Sequence, residues 1–237
     1  MNGARAELTV AAGLGMFLRP GRRGGPVPVA LDGTSSLGHV VESLGVPLTE
    51  VGRLLAGGEP VPPGYRPQPG DVLHVEAVRR PQRLAEARFV LDVHLGALAR
   101  RLRLVGLDTR YANQADDADL VEQANAERRV LLTQDRGLLR RRKLWLGGYV
   151  RGARPDGQLG DVLDRFAPAL APWTRCPACN GPLAPVAKTA VQPVLQPGTL
   201  RTYQAFSRCA SCGQVYWRGA HSRRLEGIIA AATGRSG

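Results

Sequence analysis

The chain carries four cysteines, and all of them fall in two Cys-x-x-Cys pairs, Cys176-Pro177-Ala178-Cys179 and Cys209-Ala210-Ser211-Cys212, separated by 29 residues. Each pair can turn two thiolates toward one ion. Two pairs complete a closed tetrahedral site of four thiolates, the structural kind that suits zinc. Disulfides would need an oxidising compartment, and a thioredoxin-like pair would need a strand–helix setting that neither motif has. The flanking residues are too rich in Pro and Gly to fold on an apolar core of their own, so metal binding would supply the folding energy. The spacing therefore predicts a zinc ribbon over 171–225, with a hairpin insertion in the long gap, followed by a tail over 226–237.

Charge gathers in the same place. Of the net +12, residues 171–237 hold +7, residues 81–170 hold +4 and residues 1–80 only +1. A zinc tetrathiolate is formally −2, which leaves the ribbon nearer +5. Tyr203, Phe206, Tyr216 and Trp217 interleave with Arg201, Arg208, Arg218, Arg223 and Arg224, a mixture that suits stacking and phosphate contacts on single-stranded nucleic acid. Tyr216 and Trp217 read equally well as the ribbon's own core. Thirty of the 32 cations are arginines. Arginine is the better fork for phosphate, although a GC-rich genome produces the same bias.

The middle segment alternates short apolar runs with helical patterns. Phe89–Asp92, Leu107–Ala112, Val130–Thr133 and Trp145–Arg151 read as strands. Leu95–Val105, Asp116–Arg128, Gly137–Lys143 and Gln158–Phe166 read as helices. Such alternation predicts an α/β unit over 88–170, a parallel sheet with helices on both faces. Functional groups in such sheets collect beyond the carboxyl ends of the strands. Asp92 closes the first strand, Asp116 and Asp117 open a helix, and Asp135 lies two residues past the third strand. Converging carboxylates with open water positions suit Mg2+ or Mn2+, which can activate water against a phosphodiester. Each acid also has a plain structural reading: Asp116 or Asp117 as a helix N-cap, Asp135 as a turn residue. Asp92 is harder to dismiss, since a carboxylate closing an apolar strand faces desolvation.

Residues 1–80 read as a small α+β unit. Strands are expected over Glu7–Leu18, Val27–Leu31, Val51–Ala56 and Val72–Val78, with a helix from Leu37 to Leu44 capped by the Thr34-Ser35-Ser36 run and stopped by Gly45 and Pro47. The longest apolar run, Leu8–Leu18, has 11 residues, well short of the about 20 that cross a bilayer. With no signal-peptide pattern, a cytoplasmic location is expected. Strand–strand–helix–strand–strand resembles the β-grasp, ubiquitin-like fold. The unit ends in Val78-Arg79-Arg80-Pro81 rather than Gly-Gly, so a docking or RNA-presenting role is expected in place of conjugation.

Four pieces of the middle segment are distinctive: Asp92 followed by Leu95-Gly96, Ala99-Arg100 with Leu102-Arg103, the Asp116-Asp117 pair, and Arg129-Val130-Leu131-Leu132-Thr133-Gln134-Asp135-Arg136. Together with the second cysteine pair and the Gln214–His221 stretch after it, they resemble the Mut-seven C-terminal ribonuclease domain family, a branch of the PIN-like nucleases, over 88–225. Many bacterial members carry a β-grasp domain in front. The resemblance implies a metal-dependent ribonuclease in which Asp92, Asp117 (with Asp116) and Asp135 hold Mg2+ or Mn2+, Asp119 being the nearest candidate for a fourth acid. RNA, single-stranded or structured, is the implied partner, with no membrane and no small-molecule cofactor. Arg100, Arg103, Arg136, Arg140 and Arg141 are candidates for the phosphate backbone, and Trp217 and His221 for further RNA contacts. The rival expectation is a non-catalytic RNA- or ribosome-binding adaptor that retains the fold. A toxin of a toxin–antitoxin pair fits less well, since such proteins are usually single short domains.

Overall fold

Ala6 and Leu8 are buried and Arg5 and Glu7 exposed, the period of two that makes β1 (Arg5–Val10). β2 (Val27–Ala30) repeats the pattern and pairs antiparallel with it. The helix α1 (Leu37–Ser43) is capped by Ser36, whose side chain accepts the His39 N–H. β3 (Val51–Ala56) and β4 (Glu59–Val61) form a hairpin whose two-residue turn, Gly57-Gly58, has both residues at positive φ, the backbone that a tight hairpin needs. β5 (Val72–Ala77) runs parallel to β1 and antiparallel to β3, giving a mixed sheet of order β2-β1-β5-β3-β4. Leu8, Leu37, Val41, Leu73 and Val75 are the wholly buried centre of its core. Residues 5–217, 226, 227, 230, 231 and 234 of the chain are described by this computed structural model. His221, Arg218, Arg223 and Arg224 lie outside them.

One expected element is cut short here and one strand is added. The strand over Glu7–Leu18 stops at Val10, and a 3-10 turn occupies Ala12–Phe17. Leu14 and Phe17 are both buried three residues apart, a helical spacing, and Gly13 and Gly15 interrupt the alternation a strand would need. The β3–β4 hairpin adds a strand to the expected set, although Gly-Gly between extended residues is its usual signal.

β6 (Arg88–Leu91), with Phe89, Val90 and Leu91 all buried, leads through a 3-10 turn into α2 (Gly96–Leu104). β7 (Asp108–Tyr111), α3 (Asp117–Ala126) and β8 (Val130–Thr133) follow. β6 pairs in parallel with both β7 and β8, so it is the middle one of the three. After this point the chain changes allegiance. Contacts divide it into two compact units: Met1–Arg80 with Thr133–Tyr149, and Pro81–Leu132 with Val150–Gly237. The 17-residue excursion 133–149 carries a 3-10 turn, Leu138–Arg140, and β9 (Gly147–Tyr149). The expected helix over Gly137–Lys143 does not form. Leu138 and Leu139 are buried side by side, the positions three and four further on are charged, and no apolar helical stripe exists.

In the second unit, α4 (Pro155–Phe166) starts with Pro at its first turn and ends at Ala167 in the left-handed region. Its Phe166 ring meets Phe89 at 5.5 Å, and its Asp156 pairs with Arg101 of α2. β10 (Leu183–Val186), α5 (Lys188–Val191), α6 (Pro197–Thr202), β11 (Phe206–Cys209) and β12 (Val215–Trp217) complete the described elements. β10, β11 and β12 form an antiparallel ribbon. The long gap between the cysteine pairs holds the antiparallel pair β10–β11, the expected hairpin, with two short helices in its connection. No helix among the described residues is long and apolar enough to cross a membrane.

Gly106 ends α2 at φ +90°, and a Cβ there would sit 2.0 Å from the Ala171 carbonyl oxygen. That carbonyl belongs to a segment bonded back to α2, with Ala171 N–H on Val105 and Trp173 N–H on Leu104. Gly106→Ala is expected to cost at least the about 1–3 kcal/mol of a strained backbone, read as a lower urea midpoint with an unchanged m-value.

Candidate functional site

The sulfurs of Cys176, Cys179, Cys209 and Cys212 all lie within 4.8 Å of one another. Cys176 and Cys212 are 3.7 Å apart, Cys179 and Cys209 3.4 Å. A tetrahedral ion with Zn–S bonds of about 2.3 Å needs sulfurs about 3.8 Å apart, so the quartet is close enough to hold a metal such as zinc. The backbone supports it. Gly181 N–H points at Cys179 Sγ and Cys212 N–H at Cys209 Sγ. Burial pushes the Cys209 thiol up, but the N–H groups of Cys212 and Ser211 outweigh it and bring the group down to about 6. The Tyr216 hydroxyl lies 3.1 Å from Cys176 Sγ.

The first cysteine pair is welded to the parallel sheet. Arg103, 4% exposed, reaches out of α2 and donates to the carbonyls of Thr109, Pro177 and Ala178 at 2.8–3.1 Å. Asn180, in the left-handed region, accepts the Thr109 N–H and donates to Asp108. Asp108 also takes Arg129 at 2.8 Å and Arg175 at 3.4 Å. Burial pushes the Asp108 carboxyl up. The hydrogen bonds from Arg129 and Asn180, and the charges of Arg129 and Arg175, outweigh that and hold it below the usual carboxylate range. Burial pulls the Arg129 guanidinium down in its turn, but Asp108 and Glu127 outweigh that and hold it above its usual value. Asp108 and Asn180 hold the cysteine pair to the sheet without standing out in the sequence, whereas Arg129 opens the distinctive Arg129–Arg136 run. The usable signal is a charged residue at the opening of each of two strands, Asp108 in β7 and Arg129 just before the wholly buried β8.

Asp92 is 6% exposed and stands at the carboxyl end of the middle strand. Its N–H donates to Leu132 and its carbonyl accepts from Leu95. Leu91 of β6 is in register with Tyr111 of β7, so the connection leading to Asp116 and Asp117 leaves the same edge of the sheet as Asp92. Asp116 is the N-cap of α3, its carboxylate accepting the Asp119 N–H at 2.8 Å. The capping role therefore falls to Asp116, leaving Asp117, half-buried, as the first residue of the helix proper. Among the described residues, Asp92, Asp116 and Asp117 do not make a second group with ligand atoms converging within 4.8 Å. Asp135, exposed, lies in the other compact unit. Its Oδ1 accepts the N–H groups of Gly137 and Leu138, and its own N–H donates to Thr133 Oγ1, the Asx turn that Asp favours.

The arginines divide. Arg100 and Arg141 are exposed. Arg103 is turned inward onto carbonyls, which leaves no phosphate role for it. Arg136 donates to the carbonyls of Phe17 and Met16 and stacks on the Phe17 ring, and Arg140 donates to Glu42 O. Trp217 is half-buried, its ring 6.4 Å from Phe206 and 6.5 Å from Tyr203, in keeping with a ribbon-core position. His221 lies outside the described residues.

Comparison with known proteins adds two matches. The model of the Mut7-C RNAse domain matches residues 87–229, and that of the Mut7-C ubiquitin domain matches residues 3–83. Neither a curated protein nor a solved structure matches the chain.

Two outcomes follow from the geometry. Treatment with a thiol-specific mercurial should release one equivalent of zinc per chain, and Cys209→Ser should leave less than about a tenth of it, since a closed tetrahedral site needs all four thiolates. The depressed Asp108 carboxyl contributes stability that is present at neutral pH and lost as pH falls through its folded value, below the about 3.9 of an ordinary Asp. Asp108→Asn should therefore lower the urea midpoint at pH 7 and narrow the gap from the parent chain as the pH drops below about 4.

Proposed function

We propose that this chain, which belongs to the Mut7-C RNAse domain family, is a metal-dependent ribonuclease that hydrolyses RNA phosphodiesters. The observation that carries the reading is Asp92, a carboxylate withdrawn from water at the carboxyl end of the middle parallel strand. Hard oxygen donors at a strand edge fit Mg2+ or Mn2+, and the residues of the second unit that would hold the ion are Asp92 at the end of β6 and Asp117 at the start of α3. Such an ion supplies a polarised phosphate and a water of lowered pKa.

The protein's own groups do the rest. Asp116 fixes the start of α3 through its bond to Asp119 N–H, and so sets the position of Asp117. Low water access around Asp92 strengthens its attraction for a cation. The exposed Arg100 offers positive charge to the RNA backbone, and the basic ribbon, with half-buried Tyr203 and Trp217 rings 6.5 Å apart, offers stacking surface for unpaired bases. Arg103 serves by holding the ribbon to the sheet.

The adaptor reading has one observation in its favour: Asp116 and Asp135 already have backbone donors to satisfy. The two readings separate in one assay. The full chain with Mn2+ should cleave a labelled single-stranded RNA, stop on addition of EDTA, and lose about a hundredfold or more of kcat in Asp92→Asn, with RNA binding kept within about twofold. RNA binding without metal-stimulated cleavage would overturn the nuclease reading.

A further inference from the structure

Four consecutive cations, Arg140-Arg141-Arg142-Lys143, lie on the stretch Thr133–Tyr149 that belongs to the first compact unit. Residues 1–80 of that unit are nearly neutral at +1, whereas this stretch holds five cations and one acid, so most of the unit's positive charge arrives with it. The local backbone turns the charge outward. Leu138 and Leu139 are buried, and Arg140 commits its fork to Glu42 O. Leu144 N–H then donates to Arg141 O at 2.9 Å, closing a turn with Arg142 and Lys143 at its corner. Trp145, the residue after the turn, is 41% exposed. Between the turn and α1, within the same unit, opens a cleft of about 400 Å3, the size of a small-ligand site. His39, Leu48, Pro63, Arg142 and Leu144 are among the residues that line it. The α1 wall is tightly packed: Gly38 N–H donates to Pro63 O at 2.8 Å, and a Cβ on Gly38 would meet that oxygen at 3.0 Å. Arg142 and the His39 imidazole, both exposed, have no hydrogen bond or ion pair among the described residues.

We propose that the ubiquitin-like unit holds an RNA-binding site of its own, in which the Arg142 corner grips phosphate, Trp145 stacks on a base of single-stranded RNA, and the adjoining cleft takes a neighbouring nucleotide. This deepens the RNA reading and rests on RNA as the partner, not on its cleavage. Cations that no acid of the fold neutralises draw a polyanion and release its counterions. A solvated helix face would account for the charge alone, but the run does not form a helix, and it leads into an exposed indole, the kind of platform on which unpaired bases stack. The cleft adds apolar walls from Leu48, Pro63 and Leu144. Glu42 is the one acid among its lining residues, and a carboxylate can accept from a ribose 2′-hydroxyl or a base amino group. An acidic peptide would satisfy the cations but would leave the indole and the apolar walls without a flat partner. The site gives the N-terminal fold a task that needs neither conjugation chemistry nor a metal.

The test uses the full chain in EDTA, so that binding is read without cleavage, with a fluorescently labelled single-stranded RNA and its 4-thiouridine form. Arg142→Ala should weaken binding about fivefold and lower the slope of log affinity against log salt by about 0.7, the loss of one phosphate contact. Trp145→Ala should weaken it about tenfold, and Trp145→Phe should recover part of that. Arg142→Glu, a charge reversal at an exposed position, should weaken binding more than Arg142→Ala, and carries the test if Trp145→Ala fails to fold. The 4-thiouridine RNA should crosslink to the peptide that carries Trp145. Affinity and salt slope unchanged in both Arg142 variants would overturn the site, as would crosslinks confined to residues outside 133–149. So would variants that bind RNA like the parent chain but lose a polyglutamate peptide, which would make an acidic protein the occupant. The expected losses in a parent chain that binds RNA and does not cleave it with Mn2+ would uphold the site and count against the nuclease reading alone.

Discussion

Asp108 ties three separate stretches of the second unit together. It opens β7, and it is reached by Arg129 from the start of β8, by Asn180 and by Arg175 from the first cysteine pair. Removing one partner of such a cluster leaves the others charged and half out of water, a far larger cost than the pair itself contributes. Asn180 then passes the restraint on, since the same amide that donates to Asp108 accepts the Thr109 N–H. Arg103 closes the circuit by binding Thr109 O on one side and the carbonyls of Pro177 and Ala178 on the other. A metal quartet in the ribbon is thus mechanically continuous with the sheet that carries Asp92.

Where apolar periodicity decides, the residues speak clearly. Val130–Thr133 forms a strand with the expected bounds, and α2 follows from Leu98, Leu102 and Val105 on one stripe. The cysteine quartet is legible because four thiolates in two short pairs have few other uses. Failures come where several local structures suit the same letters. Leu14 and Phe17 satisfy a 3-10 turn as readily as a longer strand, and the apolar pair Leu138-Leu139 reads as half of a helical stripe that the following cations cannot complete.

The arginines are the least legible. A guanidinium serves a phosphate, a carboxylate or a backbone carbonyl with the same fork, and which of them it meets depends on residues far away in the chain. Arg103 finds carbonyls 74 and 75 positions on, and Arg136 finds one 119 positions back. Nothing in the neighbouring letters distinguishes these from the exposed Arg100. The acids divide along similar lines: Asp116 is recognisable as a cap, whereas the burial of Asp92 follows from β6 lying between two partners.

The first unit is assembled from two separate stretches of chain, Met1–Arg80 and Thr133–Tyr149, with a long interval between them. The polypeptide therefore passes between the units three times. After a single proteolytic nick in the Pro81–Ala87 connection, the N-terminal fragment would still hold the returning stretch, which is bonded at both of its ends to the rest of the chain. Neither unit is one uninterrupted span of sequence, and during synthesis the ribosome delivers Pro81–Leu132 of the second unit before the stretch Thr133–Tyr149 that belongs to the first.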